Sequence, residues 1–211
     1  MAELIVNILD PADVIDFLSI EEAKLLLGLP GGDASQDEAL KLQISIASAT
    51  IAQLCNRTFA RERVSETWRK LGAARLFLTH FPVEQDDIEA VEAGGGALAP
   101  DAYELEEQSG KLLGLGRLAE PVRITYTGGF ELPDEAPLPL KQATILLLVH
   151  ARSQATRESI EGIRMISHKE SRVMFFDPSQ QQAKGGPAAG ALGSGVKQVD
   201  DLLMHYVKLW A

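Results

Sequence analysis

Residues 114–119, Gly114-Leu115-Gly116-Arg117-Leu118-Ala119, match G-x-G-x-x-A, the glycine pattern that lets a backbone approach a dinucleotide pyrophosphate. That chemistry needs the glycines to open a helix whose N-terminus faces the phosphates. Here Pro121 follows at once and a strand-like run comes next, so the spacing is present without its context. Gly94-Gly95-Gly96 has no helix cap after it and reads as a hairpin turn. His80, His150, His168 and His205 are far apart, with no H-x-x-x-H pair to converge on a metal. His150 lies in an apolar helical stretch and reads as a hydrogen-bonded core histidine. Cys55 follows Leu54 at the end of an apolar helix face, the setting of an inert buried thiol. Asp86-Asp87 and Glu106-Glu107 are sequence neighbours, which in a strand point to opposite faces and make a poor catalytic dyad. There is no G-x-S-x-G elbow and no P-loop. The expectation is a protein with no catalytic, cofactor-binding or metal residues. The alternative is a small nucleotide-binding enzyme built on residues 114–119.

Bases offer a different chemistry. Arg57, Arg61, Arg63, Arg69, Lys70 and Arg75 cluster with Phe59 and Trp68 between them, a composition that could contact nucleic acid. The whole chain argues against a phosphate grip: 30 acids oppose 20 bases over 211 residues, a net charge of −10. Arg61, Arg63, Arg69, Lys70 and Arg75 read better as outward strand residues at a subunit contact. Charge comes in blocks. Residues 1–58 carry nine acids and three bases, 59–80 two acids and five bases, 81–135 thirteen acids and three bases, and 136–211 six acids and nine bases. Such blocks either join an acidic face of one copy to a basic face of another or form a solvated surface with local bias. One cysteine excludes an internal disulfide and fits a reducing compartment. No run approaches the roughly 18 apolar residues of a membrane span, and the N-terminus lacks the basic start of a signal peptide. The expected location is a cytoplasm or something assembled there, without a membrane.

These residues must be positioned by a mixture of helices and short strands. Ser19-Ile20-Glu21-Glu22 has the spacing of a capping box and opens a short helix that stops at Gly28. Ser35-Gln36-Asp37-Glu38 repeats that spacing and opens a helix to about Arg57, with Leu40, Ile44, Ala47, Ile51 and Leu54 on one face. The period then changes to two: Val64, Glu66 and Trp68 alternate, followed by a turn at residues 71–74 and a strand around Arg75–Thr79. Turns at Gly94–Gly96 and Gln108–Gly110 separate further short strands, and Pro121–Thr127 is a strong strand ended by Gly128-Gly129. A helix from about Leu140 to Arg157 carries Ile145–Val149, apolar nearly all round, and is expected to be buried. Residues 163–168 and 172–176 look extended. Gly, Gln and Ala dominate residues 178–198, a flexible tether. Val199, Leu202, Leu203, Tyr206 and Trp210 share one face of a terminal helix, expected to dock on its own domain or on another chain. The division is an N-terminal segment 1–16, a core 17–176, a tether 177–198 and a docking helix 199–211.

The order of these features resembles the head–tail connector, or adaptor, proteins of long-tailed bacteriophages and gene-transfer agents. It is carried by the capped helix Ser19–Leu27, the helix from Asp37 to Phe59, Leu76-Phe77-Leu78, Phe81-Pro82-Val83, Tyr103-Glu104-Leu105, Pro121–Phe130 and Leu138–Ala143, covering about residues 17–157. The closing Val199–Trp210 segment is similar to the family's terminal motif. The resemblance implies an α+β fold, an antiparallel helical bundle with a small antiparallel β-region and an extended C-terminal arm. It implies a structural role in a virion or phage-like particle: a self-assembled ring, usually a dodecamer, beneath the portal protein. Such a ring extends the DNA channel and meets the next connector (stopper) or a tail protein, while DNA passes through without specific binding. Under that reading Val199, Leu202, Leu203, Tyr206 and Trp210 contact the portal or a neighbouring subunit. Deleting residues 196–211 is expected to abolish portal binding and leave the fold intact.

Overall fold

A computed structural model describes residues 3–31, 34–69, 75–114, 120–158, 165–168, 171–174 and 192–208. Two expected features, the turn at 71–74 and most of the tether, lie outside these residues. The helices are α1 (Ile20–Leu27), α2 (Asp37–Cys55), α3 (Leu138–Glu158) and α4 (Lys197–Leu203). Strands are β1 (Glu3–Asp10), β2 (Glu62–Arg69), β3 (Arg75–Phe77), β4 (Ile88–Ala93), β5 (Gly96–Ala97), β6 (Glu104–Glu106), β7 (Lys111–Leu113), β8 (Val122–Gly128), β9 (Met165–His168) and β10 (Ser171–Met174). The class is mixed helix and antiparallel sheet, as expected. The sheets are not a minor part of it.

α1 starts where its sequence directs. The Ser19 hydroxyl accepts from Glu22 N–H (3.1 Å), and the Glu22 carboxylate accepts from Ser19 N–H (3.0 Å). Gly28 ends it in the left-handed region at φ 67°. α2 has Gln36, not Ser35, at its N-cap position, and Gln36 makes no side-chain cap bond. α2 stops at Asn56, whose φ of 49° an asparagine tolerates. The expected face is inward, with Leu40, Ile44, Ala47 and Ile51 buried. α3 departs from expectation, because only Leu148 of the 145–149 run is buried and Val149 is exposed. α3 packs on α1, α2 and α4, and leaves Leu138 and Val149 exposed.

The strands form three sheets. Five run in the order β1-β2-β8-β4-β5, three in the order β3-β7-β6, and β9 pairs with β10 alone. Alternation sends Val64, Glu66 and Trp68 of β2 and Val122, Ile124 and Tyr126 of β8 to one face. The apolar members of that set pack with Leu76, Leu78, Phe81, Val83 and Leu112 into the core of the β half. After β8 the chain passes so close to the segment leading into β2 that a Cβ on Gly129 would lie 2.3 Å from the Ala60 carbonyl oxygen. With φ at 111°, only glycine serves there. β1 extends the main sheet at its edge, although residues 1–16 read in the sequence as a segment outside the core.

Candidate functional site

Two acids on the inward face of β2 organise a buried polar junction. Glu66, with no exposed surface, accepts from the Tyr126 hydroxyl (2.5 Å), from Thr79 N–H (2.7 Å) and from the Thr79 hydroxyl at Oε1, and from the Trp68 indole at Oε2 (3.0 Å). Four donors replace the water that a carboxylate loses on burial. Glu62 Oε2 lies 3.0 Å from His80 Nε2, and Glu62 Oε1 accepts from Ala12 N–H at 3.2 Å. The Tyr126 hydroxyl in turn accepts from His80 N–H. Burial is the main influence on His80 and outweighs the pull of Glu62 and Glu66, so its pKa falls below the ordinary histidine value. Burial, with Glu66 beside it, raises the Tyr126 phenol.

Arg57 closes the α2 end of this junction. Its guanidinium carbon lies 3.4 Å from the Phe81 ring centroid and 4.6 Å from that of Phe59, and Nη2 donates to the Phe81 carbonyl. Burial lowers its pKa to about 10, and Arg57 is thereby removed from any nucleic-acid surface. Nothing in the arrangement offers a nucleophile with a base and an open substrate position. Its hydrogen bonds join β2, β8, the 79–81 loop and the N-terminal segment, which is structural work.

The sequence-predicted residues fall into three groups. Arg61 pairs with Asp87 (2.7 Å) and Glu131 (3.4 Å), and Arg63 is bidentate to Glu89 at 2.5 and 2.6 Å. The basic block 59–80 therefore meets acids of the 81–135 block within one chain. Arg69 and Arg75 are exposed, and Lys70 lies outside the described residues. Asp87 belongs to a short 3-10 turn, Gln85–Asp87, and not to a strand.

In the C-terminal segment Val199 and Leu203 are fully buried and Leu202 and Tyr206 half-buried, while Trp210 lies outside the described residues. They pack with Phe17, Ile51, Cys55, Phe59, Leu140 and Ala143. Lys208 N–H donates to the Cys55 carbonyl at 2.8 Å, extending the dock one turn past α4. Asp200 accepts from Leu192, Gly193 and Ser194 N–H at 3.0–3.2 Å. Burial alone would raise that carboxyl, but the Ser194 side chain together with these backbone bonds outweighs it and holds its pKa low. Of the two docking options, the described segment takes its own domain. Deleting 196–211 would thus open a core and not spare the fold, because Val199 and Leu203 are part of it.

Three readings of the chemistry change or sharpen. The hydrogen-bonded core histidine is His80, 3% exposed, whereas His150 is half-buried at the rim of α3. Cys55 is fully buried, and burial pushes its thiol up to about 11. Gly114 directly follows β7 and Pro121 directly precedes β8, so strands flank the glycine motif whose residues 115–119 lie outside the described ones. Among the described residues no group of three or more His, Cys, Asp or Glu could hold a metal, and no helix is long and apolar enough to cross a membrane.

The family model described as Head completion protein matches residues 16–163. The chain belongs to that family. The match nearly coincides with the 17–157 span that carries the sequence resemblance to connector proteins. The chain also shares its fold with chains of solved gene-transfer-agent (GTA) particles. One, from "Neck of empty GTA particle computed with C6 symmetry", is 18% identical with a TM-score of 0.55, covering 98% of this chain and 97% of that chain. A second, from "Virion of native gene transfer agent (GTA) particle", is 16% identical at TM-score 0.55, covering 98% and 96%. A third, from "Neck of native GTA particle computed with C12 symmetry", is 14% identical at TM-score 0.51, covering 98% and 97%. No curated protein matches the chain at a significant level. The family span takes in the buried junction apart from its Ala12 contact and omits β1, β9, β10 and α4.

Proposed function

We propose that this chain is a structural head–tail connector, located in the neck of a phage-like or gene-transfer-agent particle. The family match over residues 16–163 carries the reading, and the near full-length fold likeness to GTA particle chains supports it. The sixfold and twelvefold symmetry of two of those necks favours a closed ring of copies, with the portal on one side and the next connector or tail protein on the other. The ion pairing of Arg61 and Arg63 by the chain's own acids suits a wall that DNA passes without being held. In this reading Val199 and Leu203 fix the terminal segment to the body. Leu202, Tyr206 and Trp210 then face the portal or a neighbouring subunit, with Arg69, Lys70 and Arg75 at a subunit contact. The role is mechanical and requires no catalytic step.

The test is genetic and visual. Cells assembling the particle without this chain should accumulate heads and tails that stay unjoined. A tagged copy should restore joining and label the neck in electron micrographs. Normal joining without the chain, or label elsewhere on the particle, overturns the reading.

A further inference from the structure

β1 is an edge strand with few of the usual protections. It occupies the end of the five-stranded sheet, paired on one side with β2 and, among the described residues, with nothing on the other. Its sequence Glu3–Asp10 holds no Pro and no Lys, the residues that commonly guard such an edge. Ile5, Val6, Ile8 and Leu9 are 42, 37, 55 and 47% exposed, so apolar side chains stand open on both faces of the strand. The register is interrupted only between Ile8 and Asp10, leaving an unbroken row from Glu3 to Ile8.

The second unsatisfied element is the β9–β10 hairpin. It forms a two-stranded sheet with no third strand among the described residues. Such a ribbon alone is marginal in water. Its cross-strand pairs Met165 with Met174 and Ile166 with Val173 are apolar. The sequence around the two elements is opposite in charge. Residues 3–16 carry Glu3, Asp10, Asp13 and Asp16 and no Lys or Arg, whereas residues 164–172 carry Arg164, Lys169 and Arg172 against Glu170.

We propose that the β9–β10 hairpin of one copy adds to the open edge of β1 in the next copy, continuing the five-stranded sheet across the subunit boundary. The proposal rests on the ring reading above. Main-chain hydrogen bonds supply the contact, and the apolar side chains of β1 are covered by the incoming strand. The contact joins two different surfaces, so it is heterologous and propagates around a ring. Pairing of β1 with β1 would be isologous and stop at a dimer.

The test uses full-length protein in assembled particles. Asn7→Cys is combined in turn with single cysteines across 165–174, a scan that finds the register, and purified particles are oxidised. A pair brought within disulfide distance gives a ladder of covalent oligomers, absent from each single variant and from the wild type. Particles that contain the double variants yet give only monomers, an internal cross-link or a band with another protein overturn the strand addition and leave the ring standing. Wild-type protein absent from the neck overturns the ring reading and the proposal with it. As a second variant, Ile8→Lys changes an exposed side chain. It should leave the melting temperature of the free protein unchanged and lower its incorporation into particles at least tenfold. Incorporation at the wild-type level overturns the proposal.

Discussion

The two ends of the chain are held to the body by opposite physics. The C-terminal segment docks through side chains: Val199 and Leu203 are fully buried, and Asp200 gathers the backbone N–H groups of residues 192–194. The N-terminal strand docks through its main chain, in register with β2 from Glu3 to Ile8, and keeps four large apolar side chains in solvent. Burial of the first kind stabilises the monomer. Apolar surface left open in the second kind is stability withheld from the monomer and available to an assembly. A short helix near the C-terminus is thus core, and a strand near the N-terminus is open apolar surface.

The sharpest way to break this contrast is to remove the buried end. Leu203→Ala deletes side-chain atoms from a site with no exposed surface and should cost about 2–5 kcal/mol. For a domain of this size that is a fall in melting temperature of roughly 4–20 °C. Truncation after residue 196 should be worse, since it uncovers Phe17, Ile51, Phe59 and Leu140 together. Thermal unfolding of either variant at the wild-type temperature would mean that the terminal helix is not part of the core.

A smaller effect lies in the junction between the two ends, where Ala12 N–H meets Glu62 and Lys208 lies near Glu66. Burial lowers the pKa of His80 in the fold, despite Glu62 and Glu66 beside it, with Lys208 adding to the lowering. The unfolded chain therefore binds a proton at this site more readily than the folded one. Stability rises with pH across that window and is lost as pH falls from the ordinary histidine value toward the lowered one. Denaturant titrations of wild type and His80→Gln across this range should show a steeper acid loss in the wild type. Equal slopes would place the proton elsewhere.

Much of this architecture is legible in sequence and some is not, for physical reasons. Local devices read directly: the Ser19–Glu22 box forms both of its bonds, and the stripe from Leu40 to Ile51 is buried. The alternation of Val64, Glu66 and Trp68 even contained a signal for the junction, because it put an acid on an apolar face. Its partners Thr79, His80 and Tyr126 come from other parts of the chain, and nothing local marks them. The run Ile145–Val149 misled because an apolar run without a period says nothing of which side is covered, so His150 took the place that belongs to His80. The charge blocks were visible, but only folding shows Arg61 and Arg63 reaching Asp87 and Glu89 in the same chain. β1 escapes because its apolar residues at 4, 5, 6, 8 and 9 follow neither period. A strand apolar on both faces has no solvent side to give it away.

The finest distinction is within β1 itself. Leu4 packs against the core of the β half, whereas Ile8, opposite Val64 in register, is more than half exposed. Ile8→Ala in the free protein should shift stability by less than about 0.5 kcal/mol, a melting change under roughly 2 °C. Leu4→Ala should cost more, although less than Leu203→Ala, because its burial is partial. Thermal melts of the three variants side by side give an order that follows monomer burial. If Ile8→Ala fell by as much as Leu203→Ala, the strand would already be covered within its own chain. It would then hold no apolar surface in reserve for a neighbour, and the opposition between the two ends would collapse.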